Sequence, residues 1–401
     1  MELGNRGDNV DMIYLDRAAT SKTKPEVIDA MMPYLVGDKW FNPSSLYSPA
    51  TKVKRDIENA RNIVADYIGA EPSEIYFTSG GSESNCWAIQ GFVNGWFDSR
   101  CTPVVLTSYI EHKSIMSCAE GNEIAKVHFI GVDSNGFVDL DELEKWLLYY
   151  ISNDELYNHY KILVSIQFAN NEIGTIQPIR EVSDMAHHYG AWLHVDAVQA
   201  VGQININVNK LGIDMMSASG HKIGTPKGVG FLYKKHDVEI TPLIFGSQER
   251  GLRGGTENVP YIIGMGKAIE LLNKDLMSKS YVSNHRDYLI KLLEKIGCKL
   301  IGDREHRLPN NINVMLPEGC GAEEMMLMLD MSDIMCSTGS ACNSRMVESS
   351  HVLKAIGLTD EEAMRCIRLT LPDSITMDDI DYVVEEIEKC IKLLGGNMNY
   401  V

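Results

Sequence analysis

The chain has 401 residues and a formal net charge of −18, so it exceeds what one small core organises and two subdomains are expected. The acidity excludes non-specific nucleic-acid binding, which needs clustered lysine and arginine, and suits a solvated cytoplasmic protein or one that docks on a basic partner. The polar start Met1-Glu2-Leu3-Gly4-Asn5-Arg6-Gly7-Asp8 lacks the apolar centre of a signal peptide, and no apolar run reaches the length of a membrane span.

Residues 51–68 place Val53, Ile57, Ala60, Val64 and Tyr67 at helical spacing, and Gly69 closes that run. The short apolar runs Ile75-Tyr76-Phe77, Val104-Val105-Leu106, Ile162-Leu163-Val164 and Trp192-Leu193-His194-Val195 read as buried strands. Between the last two, a helix begins near Pro178 and ends at Tyr189, with Gly190 as its cap. Strands separated by helices predict parallel pairing and an α/β large domain. After about residue 260 long helices dominate. The last of them starts near Thr376, with Asp379 as its capping partner, and stops at Gly395-Gly396. The expected division is a large domain over 22–259 and a small one over 12–21 and 260–401.

The nine cysteines are Cys86, Cys101, Cys118, Cys298, Cys320, Cys336, Cys342, Cys366 and Cys390, and no two form a Cys-x-x-Cys pair. Scattered and odd in number, they predict neither a disulfide framework nor a zinc or iron–sulfur site built from sequence-local ligands. Most are expected to be small buried hydrophobes in a reducing compartment. Cys342 stands apart because Ser, Gly, Ala and Asn surround it.

Thr78-Ser79-Gly80-Gly81-Ser82-Glu83-Ser84-Asn85 follows a strand and opens a helix. Its glycines and free amides favour an anion such as a phosphate, although an ordinary strand-to-helix turn has the same composition. Asp196 ends a buried strand, where it either caps the strand or pairs with a protonated pyridine nitrogen. Lys222, in Ser219-Gly220-His221-Lys222, sits where a Schiff base to an aldehyde cofactor and proton transfer both become possible. The Cys342 thiol can take a sulfur atom that such a cofactor activates. Together, Lys222 and Cys342 point to an enzyme that strips sulfur from an amino acid.

With these residues in place the chain resembles the NifS/IscS-like cysteine desulfurases, in the class V aminotransferase group of fold-type I pyridoxal-phosphate enzymes. The likeness runs from about Tyr14 to about Lys392 through Tyr14-Leu15-Asp16, Asn42-Pro43-Ser44-Ser45, Glu111-His112-Lys113, Asn170-Asn171-Glu172-Ile173-Gly174, His194-Val195-Asp196-Ala197, Glu249-Arg250-Gly251-Leu252-Arg253 and Thr256-Glu257-Asn258. The resemblance implies a mostly parallel central sheet flanked by helices, with a smaller α+β domain carrying the Cys342 loop. It implies that Lys222 carries pyridoxal 5'-phosphate and shuttles protons, that His112 stacks on the ring and that Asp196 meets the ring nitrogen. Gln199 and Asn171 would contact the ring-oxygen side, and Gly81, Ser82, Ser219 and His221 would hold the phosphate. Thr256 would reach the phosphate of a neighbouring subunit, so a homodimer is implied. Asn171 and Arg368 would grip the carboxylate of L-cysteine, although Arg368 also fits a solvated strand-end arginine. Cys342 would carry a persulfide to an acceptor protein, either an iron–sulfur scaffold or a tRNA-thiolation protein. No metal is expected. Selenocysteine lyase or another β-eliminating enzyme is the rival within the fold, and a non-catalytic sulfur-relay scaffold is the rival outside enzymology. Arg17, Phe41, Tyr47, Ala50 and Pro372 depart from the family pattern on segments that border the substrate entrance in relatives, which leaves substrate preference and partner choice open.

Overall fold

The apolar runs read from the sequence become the middle of a seven-stranded sheet in a computed structural model that describes residues 12–98, 101–153, 159–274, 278–338 and 349–395. After a short β1 (Ile13–Tyr14), the sheet comprises β2 (Ile75–Thr78), β3 (Cys101–Ser108), β4 (Lys126–Ile130), β5 (His159–Gln167), β6 (Trp192–Asp196), β7 (Met215–Ser219) and β8 (Gly230–Lys234). Their order is β2-β8-β7-β6-β5-β3-β4. Pairing from β4 through β7 is parallel, as helical crossovers require, while β8 runs against both neighbours. The link from β7 to β8 is a loop whose regular structure is a single 3-10 turn, Gly220–Lys222, and such a short link suits antiparallel neighbours.

The helix boundaries follow from caps. Ser48–Ile68 begins a few residues earlier than periodicity indicates, because Pro49 fits the first turn, and it ends at Gly69 with φ 73°. Ile179–His188 gives way to Tyr189 and then Gly190 at φ 70°. Met377–Leu394 starts at a Thr376–Asp379 capping box and closes on Gly395 at φ 80°.

One hydrophobic cluster under the large sheet joins Val27, Val64, Val104, Leu193 and Ile269. The helix Val259–Lys274 belongs to it and packs on the helices Pro25–Leu35 and Ser48–Ile68. A second cluster, around Trp87, Phe92 and Leu163, covers the other face. A third gathers Ile13 and Leu15 with Leu289, Ile312, Leu369 and Ile387. It surrounds β9 (Lys299–Ile301), β10 (Asn311–Met315), β11 (Ile334–Met335), β12 (Ser337–Thr338) and β13 (Cys366–Thr370). Four of these form a sheet in the order β12-β13-β10-β9, and β11 pairs in parallel with β1. The start of the described chain is thus built into its C-terminal part. Among the described residues no helix is long and apolar enough to cross a membrane.

Cys298, Cys320, Cys336, Cys366 and Cys390 are buried, as expected, and Cys101 is half-buried. Cys86 and Cys118 correct the sequence reading: they are joined as a disulfide between the helices Gly81–Trp96 and Lys113–Glu120. Spacing carries no sign of this pair, because the two cysteines lie 32 residues apart with β3 between them. Only helix packing brings them together.

A buried ion pair fixes one flank of the sheet. Arg61 donates to both Glu249 oxygens at 2.7 and 2.9 Å and to the Ile75 carbonyl at 2.7 Å, and Glu249 also accepts from Phe77 N at 3.1 Å. Both side chains are buried, so removing one leaves the other charge uncompensated. Arg61→Met is expected to destabilise the protein by ~3–5 kcal/mol in equilibrium unfolding. A loss below ~1 kcal/mol, the scale of an exposed pair, would show that the bridge does not hold this flank.

Candidate active site

The functional residues sit where the parallel strands end, the edge at which open α/β sheets bind ligands. β2 ends at Thr78, and the chain passes through Gly80 at φ 154°, ψ −177° before the helix Gly81–Trp96 begins. That backbone region is closed to residues with a Cβ. Neighbouring chain also presses on the turn, since a Cβ on Gly230 of β8 would lie 2.7 Å from Gly80 Cα. A Cβ on Gly81 would meet Val198 Cγ2 at 2.6 Å and Ser219 Cβ at 3.5 Å. The helix N-terminus and the end of β7 therefore converge, with Ser82 exposed on the first helical turn. Arg253 pairs with Glu83 at 2.8 Å, and Glu83 accepts from Ser79 N at 2.8 Å, which holds the turn open.

Lys222 closes the 3-10 turn after β7. Its ammonium donates to the carbonyls of Ala18 and Ala19, the latter at 2.7 Å. Gln199 Nε2 donates to the same Ala18 carbonyl at 3.1 Å. Thr20 Oγ1 lies 3.2 Å from His221 Nδ1, and Ser21 Oγ donates to the His221 carbonyl at 2.7 Å. Residues 18–21 thus wrap the lysine. Burial, with repulsion from Lys222 and Lys227 added, pushes His221 down to about 4. Its neutral ring would meet an anion as an N–H donor, not as a cation.

Asp196 is 7% exposed. Its Oδ1 accepts from Val198 N at 2.9 Å and its Oδ2 from Asn85 Nδ2 at 2.7 Å. The same Asn85 nitrogen donates to Ser114 Oγ at 3.0 Å, and Ser114 Oγ lies 2.8 Å from His112 Nδ1. His112 caps the helix Lys113–Glu120 by accepting from Ser114 N, and its ring is exposed. One relay therefore joins the buried carboxylate to the histidine. Asn85 and Ser114 were missed in the sequence; the signal was a polar residue on the apolar face of the helix after the glycine turn, since Asn85 is 1% exposed.

Glu111, also missed, is fully buried beside this relay. Ser108 Oγ and Gln167 N donate to its Oε1, and its Oε2 is buried without a hydrogen-bond partner. Burial pushes it up to about 8, against the two hydrogen bonds and with help from the Asp196 charge. Glu111 is thus held as a neutral carboxyl at neutral pH.

Arg368, on β13, pairs with Asp16 Oδ1 at 2.7 Å and donates to the Asn171 carbonyl at 3.1 Å, while its Nε is buried and unpartnered. It is no solvated strand end. Arg17, a departure from the family pattern, pairs with Asp373, the residue after Pro372, which is another. Phe41 stacks on Trp40 at 4.7 Å and meets Tyr47 edge-on at 5.9 Å. Thr256 is not on the Lys222 turn: it is exposed and lines a cleft of about 250 Å3 with Trp40, Phe41 and Asn42. Cys342 lies outside the described residues.

The donor set fits a phosphorylated pyridine aldehyde. A carboxylate with lone pairs to spare, a glycine-lined helix start, a lysine and an exposed imidazole stand on one sheet edge. Among the described residues no cluster could hold a metal ion. The model of the family described as "Aminotransferase class-V" matches residues 13–383. A cysteine desulfurase IscS from Clostridium botulinum is 43% identical over 388 residues, covering 95% of this chain and 94% of that protein. One from Methanosarcina thermophila is 43% identical over 398 residues, covering 97% and 95%. The solved structure titled "NIFS-LIKE PROTEIN" superposes with a TM-score of 0.86 at 33% identity, covering 96% of this chain and 100% of that one. "SspA in complex with cysteine" gives 0.77 at 33%, covering 91% and 100%.

Two outcomes follow from the relay and its neighbour. Asn85→Ala is expected to weaken pyridoxal-phosphate binding by ~10- to 100-fold, the scale of a lost hydrogen bond to a charged group. Equilibrium dialysis reads this, and an unchanged Kd would leave Asn85 a packing residue only. Glu111 is raised in the fold, so its contribution to stability is complete below about pH 4.5 and disappears as the pH rises through about 8. The melting temperature should therefore fall across this window, and Glu111→Gln should flatten the decline. Glu172, pushed up to about 7 mainly by burial, keeps a residual slope in the variant. Identical profiles for wild type and variant would rule out a neutral Glu111.

Proposed function

The chain belongs to the class-V aminotransferase family and, within it, to the cysteine desulfurases; we propose that it converts L-cysteine to L-alanine and passes the sulfur, as a persulfide on Cys342, to an acceptor protein in the cytoplasm. Iron–sulfur scaffolds and tRNA-thiolation proteins are the acceptor classes that suit this chemistry. The observation that carries the reading is the convergence of Lys222, Asp196 and the His112 relay at one edge of the sheet.

Family members depend on pyridoxal phosphate, which, when bound, supplies an electron sink for the substrate's α-carbon. Gly81, Ser82, Ser219 and His221 would hold its phosphate, Asp196 its ring nitrogen and His112 its ring face, with Gln199 and Asn171 on the ring-oxygen side. Lys222 takes the α-proton of cysteine and returns a proton to the product. The Ala18 and Ala19 carbonyls steady its charged form between these steps. Arg368 receives the substrate carboxylate together with Asn171 by charge-assisted hydrogen bonds. The Cys342 thiolate forms a bond to the substrate sulfur as the carbon–sulfur bond breaks, leaving alanine and a persulfide. A homodimer is supported by the Thr256 cleft and by the exposed apolar side chains Trp40, Leu46, Tyr47 and Phe245.

Lys222→Ala should lose both alanine release and the absorbance band near ~400–430 nm that a lysine-bound pyridoxal gives. Cys342→Ser should keep the band and lose sulfur transfer. Intact mass after brief exposure to L-cysteine should show added sulfur on wild type and Cys336→Ser, because burial pushes the Cys336 thiol up to about 12 and leaves it inert. An equal mass gain on Cys342→Ser would assign the sulfur to another thiol.

A further inference from the structure

The wall of the site beside His112 is built by the helices Gly81–Trp96 and Lys113–Glu120, and a row of contacts joins them. Asn85 donates to Ser114, Gln90 Nε2 donates to the Cys118 carbonyl at 3.1 Å, and Asn122 donates to Gln90 Oε1 at 3.2 Å. Within this row lies the Cys86–Cys118 link, with Cα atoms 5.8 Å apart, well inside the range a disulfide spans. Cys86 is the next residue after Asn85, and Cys118 follows Ser114 by one helical turn. The link is therefore adjacent to both members of the relay between Asp196 and His112.

Two further observations make the pair more than a structural staple. Both cysteines are partly exposed, whereas burial pushes the Cys298, Cys336 and Cys366 thiols up to about 12. In addition, the helix Lys113–Glu120 is only 8 residues long and buries just Ile115 and Ala119 among its hydrophobic side chains. A helix so short does not hold itself. Glu111 fixes the entry to this helix just before His112, and the rest of its seat depends on Ile115 and on the contacts along this face.

We propose that Cys86 and Cys118 are a reversible thiol–disulfide exchange site for low-molecular-weight disulfides and thiols, whose closed form keeps His112 seated in the cofactor site. Closure begins when one thiolate attacks a sulfur of a small disulfide R–S–S–R, forming a mixed disulfide and releasing R–S⁻. The second thiolate then attacks the protein sulfur of that mixed disulfide, forming the Cys86–Cys118 bond and releasing the second R–S⁻. Two electrons pass from the protein to the small disulfide, and the two protons leave with the released thiols. Small thiols in excess reverse both steps. The substrate, L-cysteine, is itself such a thiol, so the pool that feeds the reaction also sets the state of the pair.

This inference rests on the cofactor role of His112, and the test keeps the two separable. Holoenzyme is equilibrated in glutathione buffers from fully reduced to fully oxidised, alkylated under denaturing conditions and mapped by peptide mass. In parallel, the rate of cofactor release into an aldehyde trap is followed by absorbance. The linked Cys86–Cys118 peptide should rise with the disulfide fraction, and release should be ~10-fold slower in the oxidised protein. The Cys86→Ser/Cys118→Ser protein, or Cys118→Ser alone, should release cofactor at the fast rate in every buffer. A release rate in wild type that ignores the buffer, or a double variant that follows it as wild type does, would overturn the coupling to His112. Absence of the linked peptide at every ratio would overturn the exchange site itself. Because the peptide map needs no cofactor, a linked pair in a chain that binds none would refute the desulfurase reading and leave the exchange site standing.

Discussion

Burying a carboxylate costs several kcal/mol unless donors surround it, and the site is organised around that cost at Asp196. Asn85 and Val198 supply one hydrogen bond to each oxygen, and lone pairs remain for a ring N–H. A second ionised carboxyl nearby would raise the cost again. The fold avoids this by enclosing Glu111 so completely that it stays protonated at neutral pH. The parallel strands give the arrangement its place. Asp196 ends β6, Glu111 follows β3, and Asn85 lies on the helix that follows β2.

The second organising element is the stretch 13–21, which crosses between the two cores. β1 pairs with β11, Asp16 with Arg368, and Arg17 with Asp373, while the carbonyls of Ala18 and Ala19 receive Lys222. The arginine and the lysine of the site are thus held by Asp16 and by Ala18 and Ala19, all within one short stretch of chain. This also accounts for Arg17 in chemical terms. Its guanidinium has an acidic partner just beyond Pro372, so the unusual residue on one segment is answered by the segment it faces.

Much of this was legible in the sequence because it depends on local chemistry. Caps at Gly69, Gly190 and Thr376, apolar runs buried on both sheet faces, and the residues closing β6 and β7 follow from backbone geometry and burial. What escaped the sequence depends on tertiary contact. The reversal of β8 turns on which strand a loop returns to. Asn85 acquires its meaning only when its helix packs against β6 and Ser114. Arg368 gives no sign in sequence of Asp16, and Cys86 gives none of Cys118. In each case the partner is distant along the chain and close in the fold.

The same distinction bears on how the segment proposed to carry the thiol is tethered. The described residues on either side of Cys342 are tied to site motifs. Before it, Ser337 of β12 pairs in register with Arg368. After it, Ser350 Oγ donates to Glu172 Oε2 at 2.5 Å and His351 Nε2 lies 2.9 Å from the Glu111 carbonyl. The Ser350 bond is charge-assisted when Glu172 is ionised, and burial pushes Glu172 up to about 7 against the pull of Ser350, Arg368 and Lys113. Its ionisation is therefore balanced near neutrality. Glu172 anchors the C-terminal flank of Cys342 through its carboxyl, which receives Ser350, and Glu111 does so through its backbone carbonyl, which faces His351, while the Glu111 side chain settles charge within the site. The two glutamates therefore differ in what a substitution removes: a change at Glu111 leaves the main-chain contact to His351 in place and removes only the buried carboxyl, whereas a change at Glu172 keeps the anchor only if the new side chain still accepts from Ser350.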